Sequence, residues 1–195
     1  MLQRVLKNLT RLCAALASML LITVGGMIPS SIFTIGQNLN PKIHDLPSSW
    51  QVPALLLAGA VCGPESGMIA VIGYITLGLF YLPVFHGGGS IGYLATPDFG
   101  YIAGFLPAVW ITGKIVQRNK QNSIYQIFVA VFVGLTTIHS IGIMNLLIGT
   151  LANRWPNDLL ELIISYSIAT FPIQLLLCPT VVIVAKLTRK ILIKE

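Results

Sequence analysis

Residues 82–105, LPVFHGGGSIGYLATPDFGYIAGF, concentrate glycines, aromatic rings and polar groups in an otherwise apolar chain. Glycine lets backbone N–H groups approach a ligand closely, and flat rings provide apolar walls. The segment therefore predicts a site for a small, mostly apolar molecule with a few polar atoms, although a plain flexible turn is the alternative for its glycine run. The residues expected to contact such a ligand are Phe85, Gly87, Gly88, Gly89, Tyr93 and Tyr101.

Residues suited to catalysis are scattered along the chain. Asp98 has no second carboxylate near it in sequence to share acid–base chemistry. The three histidines, His44, His86 and His139, lack the spacing of a metal site, and no serine elbow or nucleotide loop occurs. The sequence thus favours a protein that is not an enzyme and has no resident cofactor. A metal transporter or membrane enzyme using the histidines, and a helical assembly protein without a ligand, are the alternatives.

The composition indicates an all-α integral membrane protein. Of 195 residues, 55% are hydrophobic and only 9% are charged, and the mean hydropathy is +0.82. Soluble domains carry about 25% charged residues. Three stretches without Asp, Glu, Lys or Arg span 12–41, 121–153 and 162–185. Each exceeds the roughly 20 apolar residues that a helix needs to cross a bilayer.

These stretches and the turn signals between them predict a single domain with six transmembrane helices. A cleaved signal peptide is the alternative for the first, and the second is short, ending at a break over 63–67. The polar segment between the first two spans is predicted to be a loop. The spans lie at about 9–28, 51–64, 68–85, 97–114, 124–151 and 159–187.

The basic residues predict how the chain lies in the membrane. Ten of the 12 Lys and Arg residues fall within 1–11, 114–123 and 186–195. Because cytoplasmic segments are enriched in Lys and Arg, both termini are expected inside and the glycine-rich segment at the outer face. Basic residues spread over three juxtamembrane segments favour contact with anionic lipid over nucleic acid.

Several polar residues and glycines lie within the predicted spans. His139 and Asn145 are six residues apart, about 120° around a helix, so they need not face one cavity. These two residues and Gln174 can either bind a ligand or form hydrogen bonds with a neighbouring helix. Gly100 and Gly104 form a GxxxG motif, which favours close helix packing.

The order of motifs along most of the chain resembles that of the BioY family, the membrane-embedded S components of energy-coupling-factor (ECF) biotin transporters. The glycine-rich segment carries the most specific part of this resemblance. The matching motifs are Trp50-Gln51, Leu56-Leu57-Ala58-Gly59, Gly63-Pro64, Leu82-Pro83-Val84-Phe85, Gly87-Gly88-Gly89, Tyr93-Leu94, Pro97, Phe99-Gly100-Tyr101 and Gly104-Phe105.

The resemblance implies a protein of a prokaryotic cell membrane that captures biotin at its outer face. Delivery would require a transmembrane coupling subunit and two ATPase subunits. The thiophane ring of biotin would lie against Phe85, Tyr93 or Tyr101, and its ureido group would pair with Gln51 or Asn145. Backbone N–H groups of 87–90 would hold its carboxylate.

The chain departs from the family pattern at three places. Near the last helix the family usually has Pro-Gly-Asp and then a Lys, whereas this chain has Gln174 and Leu177. Gln174 can still pair with a ureido group, and Lys42 in the unusually long first outer loop is hypothesised to replace the missing cation. Another vitamin, or a biotin precursor, is the alternative ligand. The small-residue face that docks on the coupling subunit would here be Ala14 and Ser18.

Overall fold

Helices form most of the computed structural model, which describes residues 2–35, 41–85, 88–118 and 123–192. The long helices are followed or interrupted by short elements near one end of the molecule. In chain order the elements are α1 (Leu2–Met27), β1 (Pro29–Ile35), β2 (Pro41–Ser49), α2 (Gln51–Phe80), a 3-10 helix (Ile91–Ala95), α3 (Phe99–Arg118), α4 (Ile124–Leu151), α5 (Leu159–Ile163), a π-helical turn (Ile164–Ile168) and α6 (Phe171–Leu192).

Five helical segments in the described part of the chain are long and apolar enough to cross a membrane. They are α1, α2, α3, α4 and the segment Leu159–Leu192, which joins α5, the π-helical turn and α6. The chain is therefore a multi-pass membrane protein. The predicted span 124–151 coincides with α4, and the predicted spans 51–64 and 68–85 both fall largely within α2. Helix α1 begins before the predicted residue 9, so its first turns carry the basic residues of the N-terminal segment.

Helix α2 folds back on itself at Gly63. This residue has φ +82° and ψ 175°, which is not helical and which favours glycine. The Gln51 side chain forms a hydrogen bond with the Tyr74 hydroxyl, although 23 residues of continuous helix would separate the two by about 35 Å. Added Cβ atoms at Gly59 and Gly67 would both meet Val109 Cγ2, which confirms that the two halves of α2 run side by side. The predicted break at 63–67 is a helical hairpin turn.

Arg189 satisfies a backbone group that this turn leaves without a helical partner. Pro64 has no N–H to donate to the carbonyl oxygen of Ala60, four residues earlier. Arg189 Nη1, from the last turn of α6, donates to that oxygen at 3.0 Å. Arg189 is buried, with only 7% of its surface exposed. A basic residue expected only to mark the cytoplasmic end therefore joins α6 to α2.

Helices α3 and α4 pack closely along the predicted glycine motif. A Cβ atom on Gly104 would lie 3.1 Å from the Ile138 Cα atom, and one on Gly100 would overlap the Asn145 side chain. The packing role of these two glycines is confirmed. The centre of the fold lies between α2, α3 and α4, where Tyr74 is fully buried.

A β-hairpin replaces much of the predicted first outer loop, so the described part of the chain is mostly helical and not purely α. Strands β1 and β2 pair antiparallel, with Ile32 opposite His44. Ser31 Oγ donates to Asp45 Oδ1 at 2.6 Å across the strands. Both strands are edges, which is why the sheet accommodates its prolines. The predicted loop residues 36–40 lie outside the described residues.

Candidate functional site

An aromatic cluster lies beneath the glycine-rich segment and consists of Tyr74, Phe85, Tyr93 and Phe105. The Phe85 ring lies 5.4 Å from the Tyr74 ring and 4.7 Å from the Tyr93 ring, centroid to centroid. Phe85 is 4% exposed and Tyr93 is 8% exposed, so both are packed in the protein core. In this conformation the rings of Phe85 and Tyr93, which were predicted to line a ligand cavity, fill the space beneath the glycine-rich segment.

Gln51 supports this cluster from the first turn of α2. Its amide nitrogen donates to the Tyr74 hydroxyl, which donates in turn to the Val84 carbonyl oxygen at 3.1 Å. These bonds tie both halves of α2 to the start of the glycine-rich segment. The side-chain nitrogen of Gln51 thus donates to the protein's own tyrosine.

Two backbone hydrogen bonds pair Phe85 with Gly88. The N–H of Phe85 donates to the Gly88 carbonyl oxygen at 2.9 Å, and the N–H of Gly88 donates to the Phe85 carbonyl oxygen at 3.0 Å. Gly88 has φ +128°, which strongly favours glycine. Among the described residues, no acceptor pairs with the backbone N–H groups of Gly89 and Ser90, and both residues are exposed. Gly87, predicted to take part in the site, lies outside the described residues.

Asp98 lies between this cluster and the start of α3. Tyr93 donates its hydroxyl to Asp98 Oδ2 over a long 3.4 Å. Burial raises the pKa of the Tyr93 phenol, and the neighbouring Asp98 carboxylate raises it further. Tyr93 is therefore neutral at physiological pH and acts as a hydrogen-bond donor.

A second group of side chains, the polar relay, joins α3, α4, the π-helical turn and α6. It consists of Tyr101, Ser167, His139 and Gln174. The Tyr101 hydroxyl lies 2.6 Å from Ser167 Oγ, which lies 3.2 Å from His139 Nδ1. His139 Nε2 lies 3.0 Å from Gln174 Oε1. Three hydrogen bonds therefore connect four side chains from separate elements.

Aromatic rings surround the imidazole of this relay. The His139 ring meets the edge of Tyr101 at 5.6 Å and of Phe171 at 5.0 Å, and His139 is 5% exposed. Tyr166 lies 6.1 Å from Tyr101. Tyr101, Tyr166, Phe171 and Gln174 are only partly buried. The relay thus has a buried centre and a partly exposed aromatic and amide edge.

The structure divides the predicted site residues between these groups. Gln51, Phe85 and Tyr93 lie in or beside the aromatic cluster, and Tyr101 and Gln174 belong to the polar relay. Asn145 belongs to neither, because its Nδ2 donates to the Pro97 carbonyl oxygen at 3.2 Å and ties α4 to the start of α3. Its hydrogen-bond partner differs from those of His139, six residues earlier.

Sequence reasoning did not single out His139 or Ser167 as members of one site. A signal was available for His139, since it is the only ionisable His, Asp, Glu, Lys or Arg residue between 121 and 153. Such residues within a membrane span mark functional sites by default. Ser167 gave no such signal, because its position depends on the π-helical turn.

The predicted docking pair lies mostly against the bundle. Ser18 is 2% exposed, on the face of α1 that also buries Ala15 and Ile22, whereas Ala14 is partly exposed. The open face of α1 carries large apolar side chains, including Leu12, Leu16 and Leu20. Docking through Ala14 and Ser18 remains a prediction.

Two cavities lie away from the polar relay. A cleft of about 480 Å³ is lined by one end of α3, including Trp110, Lys114 and Arg118. An apolar groove of about 250 Å³ runs between α1, α2 and α6. Within the described ranges, no three His, Cys, Asp or Glu side chains are grouped closely enough to hold a metal ion.

Known proteins resemble the chain in sequence over much of its length. A relative from Lysinibacillus sphaericus, named a probable biotin transporter BioY, is 30% identical over 128 residues, which are 66% of this chain and 64% of that protein. The chain thus matches slightly less than two thirds of that relative. A protein from Cyanophora paradoxa, described as an uncharacterized 21.2 kDa protein in the psbX-ycf33 intergenic region, is 30% identical over 162 residues, 83% of this chain and 84% of that one.

The fold is similar to that of a solved protein. The crystal structure of the S-component for biotin from an ECF-type ABC transporter superposes with a TM-score of 0.72, covering 94% of this chain and 93% of that one at 21% identity. The model of the BioY family matches residues 3–194, which is nearly the whole sequence. The chain therefore belongs to the BioY family.

Proposed function

We propose that this protein is the substrate-capture S component of an ECF transporter, binding biotin at the outer face of the membrane. The observation that carries the proposal is the match of the BioY family model to residues 3–194. The S-component fold and the relatives named as biotin transporters support it. The protein itself catalyses no reaction and works with an ATP-driven module.

The proposed topology has six spans with both termini in the cytoplasm. The fold-back at Gly63 supports two spans within α2, joined by a cytoplasmic turn. The basic segments at the two termini and between α3 and α4 then lie on the same side as that turn. The β-hairpin, the glycine run and the polar relay lie at the opposite, outer end. A prokaryotic cell membrane is the proposed location.

The ligand is proposed to contact the exposed edge of the polar relay. The flat faces of Tyr101 and Tyr166 suit the thiophane ring, and Gln174 suits the ureido group. Gln51 and Asn145 already donate to protein acceptors, so Gln174 is the better assignment for this group. The N–H groups of Gly89 and Ser90 suit the carboxylate. Contact with Phe85 requires its side chain to move, because the ring is buried.

The proposed partners are a transmembrane coupling subunit and two ATPase subunits. Helix α1 supports this assignment, because only 22% of its most apolar stretch is buried within the protein and its open face is apolar. Lipid covers the remaining apolar surface of the five long helical segments.

Titration of the purified protein with biotin tests this function. Tryptophan fluorescence in detergent is expected to report saturable binding in the nanomolar range, equivalent to about −12 kcal/mol. Riboflavin is the matched negative ligand, and desthiobiotin tests a biotin precursor. The absence of saturable binding at millimolar biotin refutes the proposal, and tighter binding of another vitamin reassigns the substrate.

A further inference from the structure

The two ends of the Gln174 carboxamide have different surroundings. Its Oε1 atom lies 3.0 Å from His139 Nε2. Within the described part of the chain, its amide nitrogen donates no hydrogen bond, and Gln174 is only partly buried. Gln174 therefore offers its nitrogen, with two N–H donors, to whatever occupies the exposed edge of the relay.

The direction of the hydrogen bonds follows from the far end of the relay. Among the described residues, Ser167 Oγ is the hydrogen-bond partner of the Tyr101 hydroxyl. The phenol hydrogen therefore has an acceptor in the protein if Tyr101 donates to Ser167. Ser167 then donates its own hydrogen to His139 Nδ1. A neutral imidazole that accepts at Nδ1 carries its proton on Nε2 and donates to the Gln174 carbonyl oxygen. Every hydrogen in the relay has an acceptor in this arrangement.

The surroundings of the imidazole hold that arrangement in place. Edge contacts with Tyr101 and Phe171 restrict rotation of the ring, and Ser167 is buried in the π-helical turn. Reversal of the Gln174 amide would place its NH₂ group against the His139 Nε2–H. Two donors would then face each other, which leaves both hydrogens unpaired in a buried site.

We propose that His139 is a positioning residue that fixes Gln174 with its amide nitrogen toward the ligand, so that the site selects a hydrogen-bond acceptor there. This inference rests on the proposed capture of biotin. The acceptor is the ureido carbonyl oxygen. A ligand that presents only donors at that position is rejected.

Biotin and 2-iminobiotin form a matched pair for the test. In 2-iminobiotin a guanidinium group, protonated at neutral pH as in arginine, replaces the ureido group and has donors only. Wild type is expected to prefer biotin. His139→Phe is expected to weaken biotin binding about tenfold and to reduce the preference by a similar factor, because the amide is then able to reverse. His139→Gln, which retains a donor, is expected to restore the preference.

Gln174→Glu tests the same point without changing the imidazole. It presents a carboxylate oxygen to the ligand, and the ratio of biotin to 2-iminobiotin affinity is expected to shift about a hundredfold toward 2-iminobiotin. A structural role alone would weaken both ligands equally in the His139→Phe variant. If the ratio of biotin to 2-iminobiotin affinity is unchanged in both His139→Phe and Gln174→Glu, the inference about His139 is overturned, but the proposed capture of biotin is not. Failure of wild type to bind biotin overturns the proposed function and this inference with it.

Discussion

Replacing Arg189 with Met is expected to destabilise the fold at the hairpin turn of α2. Met keeps an unbranched stem but removes the charged donor to the Ala60 carbonyl oxygen, which Pro64 leaves without a helical partner. Hydrogen bonds from charged groups contribute about 1.5–3 kcal/mol, and the orphaned carbonyl remains buried. We therefore expect the free energy of unfolding to fall by about 2–3 kcal/mol.

The measurement is an unfolding titration with SDS in mixed micelles, followed by far-UV circular dichroism. Lys190→Met is the matched control, because it removes the same charge from the neighbouring, exposed residue. This control is expected to change the free energy of unfolding by less than about 0.5 kcal/mol. Equal effects of the two substitutions would refute the role assigned to Arg189.

Two further predictions concern glycines. Gly88→Ala is expected to accelerate amide hydrogen exchange in 82–90 by about 5- to 150-fold, because φ +128° strains a non-glycine residue by about 1–3 kcal/mol. Gly92→Ala is the control. Similar exchange rates in the two variants would contradict the strain assigned to position 88. Gly104→Val is expected to lower the free energy of unfolding by about 1–3 kcal/mol, because a Cβ there already lies 3.1 Å from the Ile138 backbone. Ala103→Val, at a partly buried neighbour, is its control, and equal losses would show that the close approach is unimportant.

The features that follow from local chemistry were predictable from sequence. Helix α4 has the predicted bounds 124–151, because its run is long, apolar and free of charge. The break near Gly63 and the close packing at Gly100 and Gly104 follow from the absence of a side chain.

The features that depend on distant partners were not predictable in this way. The β-hairpin was predicted as a loop because prolines and polar residues are typical of loops, and its pairing depends on two edge strands. The bond between His139 and Gln174 joins residues 35 apart in sequence. Burial of Arg189 depends on the position of α6 beside the α2 turn. The helical periodicity of the sequence predicts none of these three contacts, because each joins residues from different elements.

The π-helical turn at Ile164–Ile168 holds one residue more than a turn of α-helix. The N–H of Ala169 donates to the carbonyl oxygen of Ile164, five residues earlier, at 2.9 Å. Loss of one residue from this turn would restore bonding to the fourth preceding residue and leave the rotational phase of α6 nearly unchanged. Loss of a residue between the turn and Gln174 would instead rotate Gln174 away from His139, because each residue advances an α-helix by about 100°.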